Sequence, residues 1–306
     1  MDFEKAIEYV VWVKKSEKKS EWTVRDYQKR VGEFARYMEM KGVYDTEYVT
    51  SQHIREYIND LDKKGMENSS INGKLRYLRA FFNILQEEGL GENNPMAGIK
   101  LRKENTDTVK PLTDDVVKIL LNQPNQRTFL GKRNYVCMLL MLGTGIRPSE
   151  LLSLHVDDWR DFHIIVRGEI AKDGEQRILP LTSSLVKELY KYVQIRGDWG
   201  GKWLFPNHEG DRFTTHGLYQ ALKKCAKRGG VDPKLITPYV FRHTFAINFL
   251  KAGGDVFKLQ KILGHSSLEM SRRYVKWSTQ DLQEGFEEIS PVEKFLKSNK
   301  RKRRKI

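Results

Sequence analysis

Apolar residues recur at every third or fourth position through the first hundred residues, which is the spacing of amphipathic helices. The pattern predicts four helices, and the second has the clearest apolar stripe, at Tyr27, Val31, Phe34 and Met38. The residues expected to cap or open the second, third and fourth helices are Thr23, Ser51, and Ser69 or Ser70. Helices joined by short loops pack into a compact bundle, so we predict a helical domain over residues 1–98.

The apolar pattern stops at residues 99–110, which are polar, basic and without a period. Such a stretch is typical of an ordinary surface loop or of a linker between domains. We interpret it as a linker because the pattern that follows it is of a different kind.

The second half of the chain mixes helical and strand-like patterns. Thr113 is expected to cap a helix, and an apolar helix is predicted from Tyr135 to Leu142. The strand-like segments 164–166 and 177–181, with the turn pair Asp173-Gly174 between them, predict a β-hairpin. Further helices are predicted near residues 184–196, 215–228, 238–251, 255–262 and 267–275. We therefore expect a mainly α chain with a small β-sheet, in which a second domain spans 111–296 and a basic tail spans 297–306.

Composition narrows the class of partner. The 306 residues carry a net charge of +14, and seven of the last ten residues are Lys or Arg. Nucleic acid is the expected partner of such a basic chain. No apolar run approaches the roughly 18 residues of a membrane-spanning helix, and the first residues do not resemble a secretory signal. We expect a soluble, cytoplasmic protein with no membrane partner. Cys137 and Cys225 lie far apart without CxxC spacing, which predicts neither a disulfide nor a zinc site.

Three short segments combine residue types that bind or attack phosphates. Arg147 follows a glycine turn at a predicted helix start, where guanidinium and backbone N–H donors can meet one anion. Tyr239 and Arg242 lie three residues apart on one helix face, and His265 precedes Tyr274 by nine residues. Each feature alone also fits a structural role, as a surface arginine, a buried ion pair, or a packed histidine or tyrosine.

The order and spacing of these segments resemble the tyrosine recombinase (phage integrase) family. The matching motifs are T-G-I-R-P-S-E-L, R-I-L-P-L, F-R-H-T-F-A, and L-G-H-S-S-L followed by Tyr274. The resemblance covers the whole chain. It implies a SAM-like four-helix core-binding domain followed by an α+β tyrosine recombinase catalytic domain. The layout is similar to that of Xer-like recombinases and of compact transposon or plasmid recombinases, without the arm-binding domain of larger phage integrases.

The resemblance implies a role for each matching residue. Arg147 and Arg242 resemble the pair that clamps the scissile phosphate, and Glu150 resembles the acid that orients the active site. Lys172 resembles the hairpin-tip lysine that protonates the leaving 5′ oxygen. His265 resembles the histidine that hydrogen-bonds the phosphate. Tyr274 resembles the nucleophile that attacks the phosphate and forms a 3′-phosphotyrosine.

Tyr239 departs from the family pattern, which usually has histidine three residues before the second arginine. A histidine there is thought to take the proton of the nucleophile. A phenol, with a reference pKa of about 10, is a poor base at neutral pH. We keep Tyr239 as a site residue whose role is open, and we expect His243 to face elsewhere and pack structurally.

Double-stranded DNA is the expected substrate, enclosed between the two domains. The resemblance implies a tetramer on two DNA sites, in which the apolar residues 282–296 dock on a neighbouring protomer or fold back on their own domain. No metal ion or other cofactor is expected, because no carboxylate cluster suited to Mg²⁺ accompanies the motifs. The candidate DNA contacts are Lys74, Arg76 and Arg79, and Lys223, Lys224 and Lys227. Their charges also fit two other roles, which are phosphate contact without base readout and simple solvation.

Two other functions fit parts of the pattern. A relaxase similar to the type IB topoisomerases would share the chemistry without exchanging DNA partners. A DNA-binding regulator with a degraded active site is suggested by Tyr239, although the other matching residues are all present. For a recombinase, the biological role stays open between dimer resolution, transposition and integration.

Overall fold

The computed structural model describes residues 1–104 and 110–275. The chain divides into two compact units, Met1–Asp107 and Thr108–Ile306. The apolar segment 282–296 and the basic tail 297–306 lie outside the described residues.

Four helices form the first unit, as the sequence pattern predicts. They are α1 (Phe3–Ser16), α2 (Glu21–Glu39), α3 (Ser51–Lys63) and α4 (Asn68–Glu87), with a 3-10 turn at Thr46–Tyr48. Phe34 of α2 is fully buried at their centre. Its ring centroid lies 6.1, 5.1 and 6.3 Å from those of Phe3, Tyr57 and Phe82, all edge-on. One aromatic side chain therefore packs against all three other helices.

Three of these helices begin earlier than predicted. The residues that precede them are Ser20, Thr50 and Glu67, rather than Thr23, Ser51, and Ser69 or Ser70. The hydroxyl of Ser20 accepts the backbone N–H of Thr23 at 3.2 Å, so Thr23 already belongs to the first turn of α2. A cap accepts an N–H two or three residues later, and where several polar residues stand close together the sequence alone does not choose between them.

Residues 99–104, predicted as the start of the linker, pack on the first unit. Ile99 is buried in its core. Arg102 forms an ion pair with Asp62, and the side-chain amide of Asn72 donates to the backbone carbonyl of Arg102 at 2.8 Å. These contacts extend the unit beyond residue 98.

The second unit combines eight α-helices with one three-stranded sheet among its described residues. The helices are α5 (Asp114–Leu121), α6 (Phe129–Thr144), α7 (Pro148–Leu151), α8 (Ser183–Arg196), α9 (Thr215–Arg228), α10 (Pro238–Lys251), α11 (Val256–Leu263) and α12 (Leu268–Val275). The strands are β1 (Trp159–Arg160), β2 (His163–Val166) and β3 (Arg177–Pro180).

The sheet is antiparallel with the order β1-β2-β3. Strand β2 pairs with β3 from His163↔Pro180 to Val166↔Arg177, which confirms the predicted hairpin. Its two strands are joined by a long loop, residues 167–176, rather than by a tight turn at Asp173-Gly174 alone. Strand β1 was not predicted, because two residues are too few to show an alternating pattern.

Helix α6 forms the middle of the second core and packs against both α8 and α10. Five of its side chains are fully buried: Val136, Cys137, Met138, Leu140 and Met141. These buried side chains pack against neighbouring elements, which restricts the position of the helix. Its C-terminal end, where the site residues begin, is therefore fixed by the core.

The architecture confirms the predicted fold class, mainly α with a small β-sheet. Within residues 1–104 and 110–275, no helix has both the length and the apolar character needed to cross a membrane.

Replacing Phe34 with alanine is expected to lower the free energy of unfolding by about 3–5 kcal/mol, because the cavity would open among three other rings. Urea unfolding of the full chain, followed by circular dichroism, measures this change. The matched control is Trp22→Ala on the exposed surface of the same helix, with an expected change within about 0.5 kcal/mol. Equal effects of the two substitutions would contradict the assigned core.

Candidate active site

A left-handed glycine sets the position of Arg147. Helix α6 ends at Thr144, and Gly145 follows with φ of +64°. A Cβ at this position would lie 2.4 Å from the ring of Phe245, so both the backbone angle and the space require glycine. Arg147 then stands immediately before the short helix α7, as its N-cap.

Glu150 is a fully buried carboxylate held by two arginines. Arg147 donates to it twice, from the backbone N–H at 3.1 Å and from the guanidinium at 2.9 Å. Arg177, the first residue of β3, donates to both oxygens, at 3.1 and 2.5 Å. Burial raises the pKa of Glu150, but the bonds and charges of Arg177 and then Arg147 outweigh it and hold the pKa below the ordinary 4.5. Glu150 is therefore ionised at neutral pH.

Arg242 brings a buried guanidinium to the site. It lies on α10 and is 5% exposed. It donates to the carbonyl of Gly145 at 2.6 Å and lies 3.1 Å from Nε2 of His265. Burial, with a smaller contribution from Arg147, lowers the pKa of Arg242 to about 9, so the group is still protonated at neutral pH.

The C-terminal turn of α11 joins these side chains. The last carbonyls of a helix have no partner within the helix and attract cations. Here three consecutive carbonyls each accept one arginine N–H, at 3.0, 2.8 and 2.5 Å. In chain order, the carbonyls and their donors are Ile262 with Arg177, Leu263 with Arg242, and Gly264 with Arg147. Gly264 ends the helix with φ of +60°.

His265 follows this turn, and its contact with Arg242 decides which ring nitrogen of the neutral imidazole carries the proton. A guanidinium can only donate, so Nε2 of His265 accepts from Arg242. In the neutral imidazole the proton then lies on Nδ1, which is 2.8 Å from the hydroxyl of Ser271 on α12. Ser271 therefore links the histidine to the helix that carries Tyr274.

Tyr274 lies between two imidazole rings and is 2% exposed. His265 stacks with it at a centroid distance of 6.3 Å, and His243 lies tilted against it at 5.5 Å. The expectation that His243 faces away from the site was wrong. His243 is one residue beyond Arg242, and a step of one residue on a helix turns the side chain by about 100° without removing it from a site enclosed by several helices.

Two predicted residues lie further out. Tyr239 is 56% exposed on the first turn of α10. Lys172 is exposed on the loop between β2 and β3. This loop reaches the turn after α11, since a Cβ at Gly264 would lie 3.0 Å from a carboxylate oxygen of Asp173. The structure thus brings Arg147, Glu150, Arg242, His265 and Tyr274 together, with Lys172 on an adjacent loop.

The basic side chains proposed for DNA contact differ in their surroundings. On α4, Lys74 forms an ion pair with Glu33, Arg76 lies 2.7 Å from Glu104, and Arg79 donates to the carbonyl of Ile99 at 2.5 Å. On α9, Lys223 lies over the ring of Tyr219 at 4.5 Å, while Lys224 and Lys227 are exposed. No ion pair of Lys224 or Lys227 occurs within the described ranges.

In the part of the chain that the structure describes, no group of three or more His, Cys, Asp or Glu residues is arranged to hold a metal ion. The positive charge described around Glu150 is that of Arg147, Arg177 and Arg242.

The chain matches known families and relatives over most of its length. The model of the phage integrase family matches residues 110–281, and that of the phage integrase N-terminal SAM-like domain matches residues 8–89. Tyrosine recombinase XerC of Bacillus pumilus is 30% identical over 275 residues, which cover 86% of this chain and 88% of that protein. Tyrosine recombinase XerD of Listeria monocytogenes serotype 4b is 29% identical over 276 residues, covering 88% and 92%.

A solved structure shares the fold. The Tn1549 transposon integrase, in complex with a circular-intermediate DNA, superposes with a TM-score of 0.72 at 22% identity, over 90% of this chain and 95% of that one. The chain belongs to the phage integrase family, and it is a tyrosine recombinase that cleaves and rejoins DNA at specific sites.

Glu150→Gln is expected to lower the free energy of unfolding by roughly 3–5 kcal/mol at pH 7, because two buried guanidiniums lose their carboxylate. A depressed pKa stabilises the fold above the unfolded value of 4.5, and this stabilisation is lost as pH falls through the folded pKa. The difference between wild type and variant should therefore shrink below pH 4.5.

Urea unfolding at a series of pH values measures this difference. Glu169→Gln is the matched control, because Glu169 is exposed; its effect should stay within about 0.5 kcal/mol. A Glu150→Gln effect that does not change with pH would contradict the assignment of an ionised, buried carboxylate.

Proposed function

We propose that Tyr274 is the nucleophile of this recombinase. Its phenol oxygen, on losing its proton, attacks a DNA phosphorus, and the bond from phosphorus to the 5′ oxygen breaks. The products are a 3′-phosphotyrosine and a free 5′-hydroxyl. A 5′-hydroxyl from a partner strand reverses the step, so the covalent link conserves the bond energy and no ATP is needed. The observation that carries this proposal is the convergence of one phenol, two arginines and one histidine at the end of α11.

Arg147 and Arg242 are proposed to bind the two non-bridging oxygens of the scissile phosphate. Each guanidinium has five N–H donors, and the described contacts use only some of them. Two fixed positive charges offset the charge that builds on phosphorus in the transition state. Glu150 is proposed to orient Arg147, because it accepts from both its backbone and its side chain.

Lys172 and His265 are proposed to complete the chemistry. Lys172 lies on an exposed loop beside the site, where it can protonate the leaving 5′ oxygen. His265 is proposed to hydrogen-bond the scissile phosphate. Tyr239 is proposed to bind near the phosphate as a hydrogen-bonding group, since an exposed phenol is a poor base at neutral pH.

Each of the two units is proposed to contact double-stranded DNA, the first as a core-binding domain and the second as a catalytic domain. Exposed Lys224 and Lys227 support a phosphate contact by α9. On α4, Arg76 is the most exposed of the three basic residues and the best candidate for contact. We further propose a tetramer on two DNA sites, because strand exchange needs four active sites. We also propose a cytoplasmic location, because the substrate would be chromosomal or mobile DNA.

Covalent capture tests the nucleophile. The protein is mixed with end-labelled duplexes spanning the ends of the element that encodes it, and with a pool of random duplexes, and is then denatured in detergent with EDTA present. Wild type should retain label, and Tyr274→Phe should retain none. Sequencing the captured duplexes would give the target site.

Tyr239→Phe is the matched control. Removing a general base costs about 10²- to 10⁴-fold, so a rate within tenfold of wild type is expected if Tyr239 is not the base. Label on Tyr274→Phe would overturn the assignment of the nucleophile. Duplexes that shift in a native gel without any covalent capture would favour the regulator, and relaxed plasmid without recombinant product would favour the relaxase.

Lys224→Gln and Lys227→Gln are each expected to weaken DNA binding mainly at low salt. The slope of log K against log salt concentration should become shallower by about 0.9 for each phosphate that the variant no longer neutralises. Fluorescence anisotropy with the captured duplex at several salt concentrations measures the slope. An unchanged slope in the double variant would exclude α9 from the DNA interface.

A further inference from the structure

Arg177 makes three hydrogen bonds that no role in strand cleavage explains. It opens β3, and its side chain is 9% exposed. Its Nη atoms donate to the two carboxylate oxygens of Glu150 at 3.1 and 2.5 Å, and its Nε donates to the carbonyl of Ile262 at 3.0 Å.

These contacts reproduce those of Arg147. Arg147 also donates to the carboxylate of Glu150 and to the C-terminal turn of α11, at Gly264. Both guanidiniums therefore connect the same two structural parts. Arg177 differs because its bonds point into the protein and it comes from the strand that follows the Lys172 loop.

We propose that Arg177 is a positioning residue for strand cleavage. It holds Glu150 ionised and in one orientation, and it holds the end of α11, so that Arg147 and His265 face the phosphate together. This inference rests on the proposed roles of those two residues.

The charges around Glu150 explain why one arginine is insufficient. Three cations face this carboxylate: Arg147 from α7, Arg177 from β3 and Arg242 from α10. Arg242 makes no described bond to it. Without Arg177, a fully buried carboxylate would keep one bonded guanidinium, and burial would favour its protonated form. A protonated Glu150 would hold the guanidinium of Arg147 less firmly.

A simple structural ion pair is the competing explanation. Replacing a buried ion pair with apolar groups is often neutral for stability, so stability alone does not distinguish the two. The distinguishing property is that Arg177 acts through Glu150. Its removal should change the pH dependence of cleavage, and it should matter little once Glu150 is gone.

The test compares Arg177→Met, Arg177→Lys, Glu150→Gln and the double variant Glu150→Gln/Arg177→Met. Ile178→Ala, an exposed neighbour on the same strand, is the matched control. Single-turnover formation of the covalent adduct is measured across pH with saturating protein and the captured duplex. Binding of the same duplex is measured separately, and circular dichroism checks the fold of each variant.

Arg177→Met should bind DNA as wild type does and cleave it roughly 10- to 100-fold more slowly, since small displacements of catalytic groups cost about that much. The deficit should grow as pH falls, because Glu150 then takes up a proton. Arg177→Lys keeps a cation but not the paired donors, and it should recover part of the rate. The double variant should be no slower than Glu150→Gln. Rate reductions that multiply, or a deficit that is flat with pH, would overturn the proposal.

Displacement of Lys172 is another way in which Arg177→Met would slow cleavage. A duplex with sulfur at the bridging 5′ position distinguishes this cause from an effect through Glu150. A thiolate leaves without a general acid, so this substrate restores a rate that was reduced through Lys172 and does not restore one that was reduced through Glu150. Full restoration in Arg177→Met would overturn the proposed route.

Hydrogen exchange gives a readout that does not depend on DNA cleavage. Amides of residues 260–265 should exchange faster in Arg177→Met and remain unchanged in Ile178→Ala. Unchanged exchange in Arg177→Met overturns the positioning role. Absence of any adduct with wild type overturns the proposed function, and the two failures are thus distinguishable.

Discussion

The site depends on the unsatisfied C-terminal carbonyls of α11. A helix end of this kind carries a partial negative charge and needs donors. Three arginines from three different elements supply them, at Ile262, Leu263 and Gly264. Because each arginine is bound elsewhere as well, the helix end fixes α7, β3 and α10 relative to one another. The histidine that follows this turn takes its position from the same contacts.

The charges of the assembled site do not balance. Three guanidiniums surround it, and two of them, those of Arg147 and Arg177, contact one carboxylate within the described residues, that of Glu150. Helix dipoles and carbonyls offset part of the excess positive charge. An arriving phosphodiester would supply the missing anion, so the arrangement is preorganised for a phosphate and does not need a large rearrangement of charge when DNA binds.

The sequence predicted the bounds of α9 and α10 within one or two residues. It failed where the deciding contact is distant in the chain. Arg177 meets a carboxylate 27 residues before it and a carbonyl 85 residues after it. His243 was misplaced for the same reason, because its neighbour Tyr274 comes from another helix. The local sequence pattern predicts the secondary-structure element, whereas the contact partner of a side chain is decided by tertiary packing.

The burial of Tyr274 has a consequence for the energetics of the reaction. At 2% exposure, its side chain must become more accessible before its hydroxyl can meet a DNA phosphate. If the phenol is accessible in only a fraction of the molecules, the apparent affinity of the protein for DNA in the reactive complex is reduced by that same fraction. Burial of the phenol thus raises the free energy of the reactive complex. DNA that binds the form with an accessible phenol more tightly would raise the population of that form.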